Sequence, residues 1–244
     1  MDILELRLQA HDLTTQRAFY AETLGLPLAG ETGSTVAFQA GRTRLVFEQA
    51  PPQARPAHHF AFNIPQNRFA EARRWLLARV PLLKQGNADE FFFQSWNAHA
   101  MYFADPAGNI VEFIARHNLA NTSDQPFDSR GILRVSEIGL PAPDVGAMVD
   151  ALEGGLGLTL WSGDREDFAA VGDERGLGIV VPLGRHWMPD DRVPAVANPV
   201  ALTIAGDSAW QYAVPGLPYR FRGCSWPRRL LASACSSSAT SAGG

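Results

Sequence analysis

The sequence has 244 residues, of which 46% are hydrophobic and 19% are charged, and its formal net charge is -4. This composition is typical of a folded globular protein with one large or two modest domains. It offers no basic surface for nucleic acid, and no apolar run approaches the roughly 20 residues of a membrane span.

The start of the chain, MDILELRLQAHD, alternates apolar and polar side chains and has no basic segment followed by an apolar core. We therefore expect no secretory leader and a cytoplasmic location. Cys224 and Cys235 both fall near the end of the chain, outside the regular patterns. They indicate no disulfide framework.

The first unit of the chain is predicted to have the order β-α-β-β, with a further short strand considered near Leu28. Ala40-Gly41-Arg42 is typical of a hairpin between its last two strands, and Gly25 is expected to end its helix. The predicted elements are strand 3–10, helix 14–24, strand 35–39 and strand 44–48.

The same plan then repeats, which predicts one domain of two units over residues 1–117. The aperiodic polar segment that follows predicts a linker at 118–130. The elements of the second unit are strand 59–64, helix 68–80, strand 90–94, strand 100–104 and strand 109–115.

A third unit aligns with the first without a gap, which indicates an internal duplication. Glu137 falls on Glu5, Asp144 falls on Asp12, and Leu156-Gly157-Leu158 falls on Leu24-Gly25-Leu26. A fourth unit begins at residue 199 but lacks a complete pattern. We therefore expect an incomplete related domain without metal ligands at 131–222, and a disordered Ser- and Ala-rich tail at 223–244.

Three polar side chains stand on the polar faces of strand-like runs: Glu5, His59 and Glu112. Successive side chains of a strand point to opposite faces, so these three are expected to line a polar hollow. A carboxylate on an inner strand costs several kcal/mol of desolvation unless a cation or donors compensate it. A metal ion would supply that compensation. A purely structural role stays open, in which Arg7 or Arg44 pairs with Glu112 and His59 is a satisfied interior histidine.

FYAETLGLPL after the first strand and MYFADPAGNIVEFIAR at the end of the second unit resemble the vicinal oxygen chelate superfamily. That family includes glyoxalases, extradiol dioxygenases and bleomycin-binding proteins. The resemblance implies an α+β fold in which paired βαβββ modules form a cupped mixed sheet around a divalent metal. It implies metal ligands at Glu5, His59 and Glu112, while the fourth position, used by glyoxalases, falls on Val46, which cannot bind metal.

The resemblance implies a metal-dependent enzyme with a small oxygen-rich substrate, and an extradiol, ring-cleaving dioxygenase is our first choice. A glyoxalase-type lyase or isomerase and a metal-free small-molecule binding protein are the alternatives. Fe, Mn, Zn, Ni and Mg are not distinguished by these ligands. His99 and Tyr102 are candidates for a general acid or a substrate hydrogen-bond donor. The recurrence of Glu5 as Glu137 leaves a folding role open for Glu5, and a homodimer stays open.

Overall fold

The computed structural model describes residues 1–225, which form four β-modules in two sheets. The first two modules each have a helix between their first and second strands. Module one contains β1 Ile3–Ala10, α1 Leu13–Ala18, β2 Leu28–Thr32, β3 Thr35–Ala40 and β4 Thr43–Gln49, and module two contains β5 His59–Asn63, α2 Phe69–Leu77, β6 Phe91–Phe93, β7 Ala98–Ala104 and β8 Ile110–Arg116.

The third module repeats this plan, and the fourth has three strands with a three-residue connection, 207–209, where the others have a helix. Module three contains β9 Arg134–Gly139, α3 Val145–Leu156, β10 Leu160–Gly163, β11 Ala169–Asp173 and β12 Gly176–Val180, and module four contains β13 Val200–Gly206, β14 Trp210–Ala213 and β15 Tyr219–Ser225. A π-helical turn, Phe19–Thr23, extends α1, and 3-10 turns occupy Gln94–Trp96 and Ser129–Gly131. The α+β class and the paired βαβββ plan are confirmed.

The helix starts follow the repeat that the sequence predicts. The Asp12 carboxylate accepts hydrogen bonds from the backbone N–H groups of Thr14 and Thr15 at the start of α1. Asp144 accepts one from Ala147 at the start of α3. A carboxylate at this position satisfies backbone donors that have no partner within the helix. Equivalent caps at aligned positions support the duplication.

The modules pair in a nested order. Sheet I has seven strands in the order β14-β15-β13-β1-β4-β3-β2, so it joins modules one and four. Sheet II has eight strands in the order β10-β11-β12-β9-β5-β8-β7-β6, so it joins modules two and three. Strand β1 pairs antiparallel with β13, and β5 pairs antiparallel with β9.

This pairing corrects the expected division into a domain at 1–117 and an incomplete domain at 131–222. Each sheet takes strands from both sides of the segment 118–130. Buried side chains of both sheets also belong to one continuous apolar cluster, as Leu6 of β1 and Phe60 of β5 illustrate. Alternation along a strand determines which face is buried, but it does not determine which edge pairs with which partner.

Part of the segment 118–130 is packed against module two rather than being a free linker. The Asn121 side chain bonds to Gln66 and Asn63, and Ser123 bonds to Asn67. Phe127 is buried and contacts Trp75 of α2 edge to face, with ring centroids 5.5 Å apart. The segment therefore helps fix module two.

The disordered tail expected at 223–244 is wrong for residues 223–225, because β15 continues through Ser225 and includes Cys224. The remainder of that expected tail, with Cys235, lies outside the described residues. None of the helices among residues 1–225 has the length and apolar content of a membrane span.

A candidate metal centre in sheet II

Three buried donor side chains meet on one face of sheet II: His59 of β5, Glu112 of β8 and Glu137 of β9. One ligand atom from each lies within 4.8 Å of the other two. Strand β5 lies between β8 and β9, and Ala61 is the residue opposite both Glu112 and Glu137. Because alanine presents only a methyl group on this face, the two carboxylates can converge above it.

His59 is arranged as a metal-ligating histidine would be. Its Nδ1 lies 3.1 Å from the backbone carbonyl of Ile110, which can only accept, so Nδ1 carries the hydrogen. Burial lowers the pKa of His59 to about 4, so the ring is neutral near pH 7 and the lone pair of Nε2 is free. A histidine that donates its second N–H to a carbonyl is the usual form around a bound metal.

The lone pair of His59 Nε2 faces a carboxylate oxygen. Its neighbour, Oε2 of Glu112, is 3.7 Å away, and both atoms are acceptors when the carboxyl group is ionised. Burial raises the pKa of Glu112 well above its usual range, and the charge of Glu137 raises it further. The Arg116 charge and a hydrogen bond from the Tyr102 hydroxyl lower it in part. A proton or a divalent cation between these donors removes the repulsion, and the residues present fit a cation.

Glu137 is held by Arg116, whose Nη2 donates to Glu137 Oε1 at 2.5 Å. The Arg116 side chain is 0% exposed, so the ion pair is fully buried. Its guanidinium lies over the rings of Trp96 and Trp161, at 5.0 and 5.4 Å from their centroids. Burial raises the pKa of Glu137, while the Arg116 charge lowers it. The arginine thus orients one carboxylate oxygen, and Glu137 also lines the adjacent cavity.

Each donor side chain occupies one of four equivalent positions around this centre, which we call its corners. The fourth corner is occupied by an apolar side chain. His59 is opposite Ile110 in β8, two residues before Glu112. Glu137 is opposite Leu177 in β12, and the residue two further along is Ile179. The duplicated geometry therefore places Ile179 where Glu112 stands in the other half, and Ile179 lines the cavity. Three of four corners carry donors.

Glu5 lies in sheet I, apart from His59 and Glu112. Its Oε1 accepts from Arg7 at 2.6 Å and its Oε2 accepts from Arg44 at 2.8 Å. The hydrogen bonds and charges of these two arginines lower the pKa of Glu5 below its usual value, although burial opposes them. The structure brings Glu137, not Glu5, together with His59 and Glu112, and Arg7 and Arg44 pair with Glu5 rather than with Glu112.

The two predicted catalytic residues lie on opposite faces of β7. Tyr102 is opposite Glu112 and lines the cavity beside it. His99 is three residues away, so its side chain points to the other face, where it contacts Phe69 of α2. Its Nδ1 lies 2.7 Å from Nε2 of His117. The structure therefore places Tyr102 beside the candidate metal centre and His99 away from it.

Sequence reasoning missed Glu137 and Arg116. The alignment of Glu5 with Glu137 could have indicated Glu137, because it gives two equivalent glutamates for a single position beside His59 and Glu112. Arg116 lies four residues after Glu112 on the same strand, so alternation places both side chains on one face. The choice between Glu5 and Glu137 depends on whether module two pairs with module one or with module three.

A cavity of about 310 Å³ opens above the three donors. Aromatic and aliphatic side chains form most of its wall, and polar groups converge at its floor. Such a cavity is typical of a small-molecule site. Its lining beyond the donors and Ile179 includes Phe93, Trp96, Tyr102, Phe168, Arg185 and Trp187.

Comparison with known proteins gives a fold but no sequence family. No family model matches the sequence, and no curated protein matches it. Among solved structures, a "putative dioxygenase" from Bacillus subtilis subsp. subtilis str. 168 is 17% identical, with a TM-score of 0.62 over 93% of this chain and 86% of its own.

Two crystal structures of glyoxalase I variants from Zea mays are also similar. They are 11% and 13% identical, with TM-scores of 0.55 and 0.54, and they cover 91% and 92% of this chain and 92% of their own. Likeness at this identity establishes the fold, and the nested pairing of duplicated βαβββ modules agrees with it. The chain shares the fold of these glyoxalase I and "putative dioxygenase" structures, which is the fold that the sequence resemblance implies.

Proposed function

We propose that the protein is a metal-dependent vicinal oxygen chelate enzyme for a small substrate with two neighbouring oxygens, with extradiol dioxygenase chemistry as the first choice. The observation that carries this proposal is the buried group of His59, Glu112 and Glu137 with Ile179 at the fourth corner. Three protein donors leave coordination positions open for a substrate.

A divalent metal held by these donors would attach both substrate oxygens and stabilise the negative charge that develops on them. The donor set contains one histidine and two carboxylates, whereas the usual triad of non-haem iron oxygenases has two histidines and one carboxylate. The additional carboxylate makes the set harder. It is compatible with Fe, Mn, Zn, Ni or Mg, and it does not select one of them.

The protein groups around the centre have separable tasks. The Ile110 carbonyl orients the His59 ring, and Arg116 keeps Glu137 oriented and compensates its charge. The Tyr102 hydroxyl donates to Glu112, and burial together with the Glu112 charge raises the pKa of Tyr102 well above its ordinary value. Tyr102 therefore keeps its proton near pH 7, and because the hydroxyl has one proton, it can donate to a substrate oxygen only by turning away from Glu112.

The first test is metal binding itself. Protein purified without chelator is analysed for metal, and chelated protein is titrated with Mn(II), Fe(II), Co(II) or Zn(II) while its thermal midpoint is followed. We expect a stabilisation that His59→Ala removes, because ligand binding to the folded state raises the midpoint. If no metal is present and none shifts the midpoint, the metal-free binding-protein alternative replaces the proposal.

The second test addresses the reaction. Protein loaded with Fe(II) under anaerobic conditions is mixed with catechols and then exposed to oxygen. Ring-opened products absorb in the visible range, so their formation is followed directly. Metal-loaded protein that produces no such absorbance with any catechol would contradict dioxygenase activity.

A glyoxalase-type isomerase remains the second candidate, and one observation favours it. A carboxyl group whose pKa is raised, as at Glu112, is suited to move a proton beside a carbonyl near neutral pH. The apolar Ile179 corner disfavours it, since it leaves three protein donors. Activity of Ni(II)- or Zn(II)-loaded protein on a thiohemiacetal, with none on catechols, would establish this second candidate.

A further inference from the structure

We propose that Arg185 selects substrates that carry an anionic group at the end opposite their two neighbouring oxygens. The inference rests on the proposed function, and it specifies the substrate class further. That class is a planar vicinal diol, such as a catechol, with a carboxylate substituent.

The cavity has two distinct ends joined by an aromatic wall. At the buried end, Arg116 lies 5.0 Å from the ring of Trp96. The Trp96 ring is 6.1 Å from that of Phe168, and the Arg185 guanidinium lies 5.6 Å over the Phe168 ring. Arg116 is buried and Arg185 is exposed, so Arg185 stands at the mouth of the cavity, separated from the metal centre by two rings.

Arg185 has unused donors that face this cavity. One of its N–H groups donates to the Asp167 carbonyl, and no ion pair among residues 1–225 involves Arg185. An arginine has five donors in a planar fork, which matches the two oxygens of a carboxylate. The remaining donors of Arg185 can therefore bind an anion at the mouth.

The position of Arg185 is fixed relative to the metal centre. Its backbone carbonyl accepts from Ala195 at 2.7 Å, and Trp187 donates its backbone N–H to Val193 at 2.9 Å. The Trp187 ring packs on His59, with centroids 4.8 Å apart. The same short segment thus touches a metal ligand at one residue and presents the guanidinium two residues earlier.

The walls between the two ends favour a flat ring. Trp96, Phe168 and Trp187 line the cavity, and aromatic side chains bind planar rings by offset or edge-to-face contact. A benzene ring with two neighbouring oxygens can reach the floor with that edge. Its opposite edge then points toward Arg185.

The test compares three probes on Zn(II)-loaded full-length protein by isothermal titration calorimetry. The probes are 3,4-dihydroxybenzoate, its methyl ester and catechol. The ester keeps the diol ring and a carbonyl substituent at the same position but has no charge, so comparison with it tests the contribution of the carboxylate charge. We expect the acid to bind about 5-fold tighter than the ester at low salt, with the difference reduced at 0.5 M NaCl, where the Debye length is roughly 4 Å.

Two variants assign that preference to the proposed residue. Arg185→Gln is expected to abolish the preference of the protein for the acid over the ester. Arg79→Gln is the matched control, because Arg79 also donates to a backbone carbonyl and lies over an aromatic ring, that of Trp75, but it lines no part of this cavity. It should retain the preference. The thermal midpoint of each variant establishes that it is folded.

The outcomes separate the inference from the proposed function. Equal affinity for acid and ester, or a preference that survives in Arg185→Gln, overturns the inference while the diol site stands. If none of the three probes binds the metal-loaded protein, both the diol-binding function and the inference fail.

Discussion

The two sheets have the same construction, but only sheet II gathers metal donors among the residues that the structure describes. Strand registers define four equivalent corners in each sheet. His59, the residue before Phe60 in β5, corresponds to Ala201, the residue before Leu202 in β13. The other equivalent corners follow from the residues that pair with these strands. The corners of sheet II are His59, Glu112, Glu137 and Ile179, and those of sheet I are Ala201, Arg222, Glu5 and Val46.

The contrast between Glu137 and Glu5 shows that residue type alone does not make a ligand. Both occupy the same corner of a first strand. The Glu5 side chain is 22% exposed, and an arginine occupies each of its oxygens. The Glu137 side chain is 3% exposed, and one arginine holds one oxygen while a second carboxylate stands nearby. The first carboxylate is neutralised, whereas the second leaves negative charge for a cation.

The largest expected effect is on stability, and it comes from replacing the arginine that pairs with Glu137, in comparison with an arginine that pairs with Glu5. Arg116→Met leaves the Glu137 carboxylate without its buried cation, and we expect it to lower the free energy of unfolding by about 3 to 5 kcal/mol. Arg44→Met removes one of two arginines from a partly exposed pair and should cost about 1 kcal/mol or less. Urea unfolding of both variants in chelator measures the difference. Equal losses would contradict the contrast in burial.

A second pair of variants tests which carboxylate binds metal. Glu137→Gln keeps the side-chain shape but removes the charge, and we expect at least about a 10-fold loss in Zn(II) affinity, a conservative bound from outer-shell changes. Glu5→Gln should leave that affinity unchanged. Competition with a chromophoric chelator measures both. Loss of affinity in Glu5→Gln instead would return Glu5 to the site.

The third prediction concerns pH. His58 and His59 both have a pKa of about 4 in the folded protein, lowered from 6.5 by burial. Below pH 6.5 the unfolded chain protonates these two rings while the folded protein does not, so their contribution to stability falls as the pH falls from about 6.5 to 4, whereas Glu112 and Glu137, whose pKa values are raised, act in the opposite direction. Each ring contributes on the order of 3 kcal/mol to this loss. Urea unfolding of metal-free protein across that range should show it.

A variant separates the contribution of His59, at the candidate centre, from the contribution of its neighbour His58 to this pH dependence. His59→Gln should reduce the dependence on pH in that range, and sheet I provides no comparable histidine at its equivalent corner, Ala201. A dependence of stability on pH that is the same in His59→Gln as in the unaltered protein would contradict the lowered pKa of His59.

The smallest expected effect comes from the apolar corners. Ile179→Glu adds a fourth donor beside Glu112 and Glu137, so Zn(II) should raise the thermal midpoint more than in the unaltered protein. Val46→Glu makes the same change at the equivalent corner of sheet I, where Glu5 is the one metal-donor side chain among the corners. Metal should produce no additional shift there. An equal additional shift in both variants would indicate that the corners of sheet I also bind metal.

Much of this architecture could be predicted from local patterns. The order of strands and helices and the caps at Asp12 and Asp144 follow from alternation and short-range chemistry. His59 and Glu112 could be selected because their faces and spacing are local properties. The third ligand could not, because it depends on pairing between modules. Glu5 and Glu137 have the same local surroundings, and only the antiparallel contact of β5 with β9 selects Glu137.

His99 lies away from the candidate centre for a different reason. Its distance from Tyr102 along β7 is three residues, an odd number, so the two side chains cannot share a face of a regular strand. Strand parity alone is therefore sufficient to separate His99 from Tyr102. The same rule finds Arg116, since it is an even number of residues from Glu112 on β8.

Because of the nested pairing, the strands of the two sheets are all available at different stages of synthesis. Every strand of sheet II lies between His59 and Val180, so its pairing partners have all been made before module four emerges. Sheet I joins β1, near the first residue, to β13 and β15, near residue 225, so it closes the longest loop in the molecule. Long-range closure slows folding, and domains form in the order of synthesis. The sheet that holds the candidate metal centre can therefore assemble first. One edge of β1 in module one then stays unpaired until β13 has been synthesised.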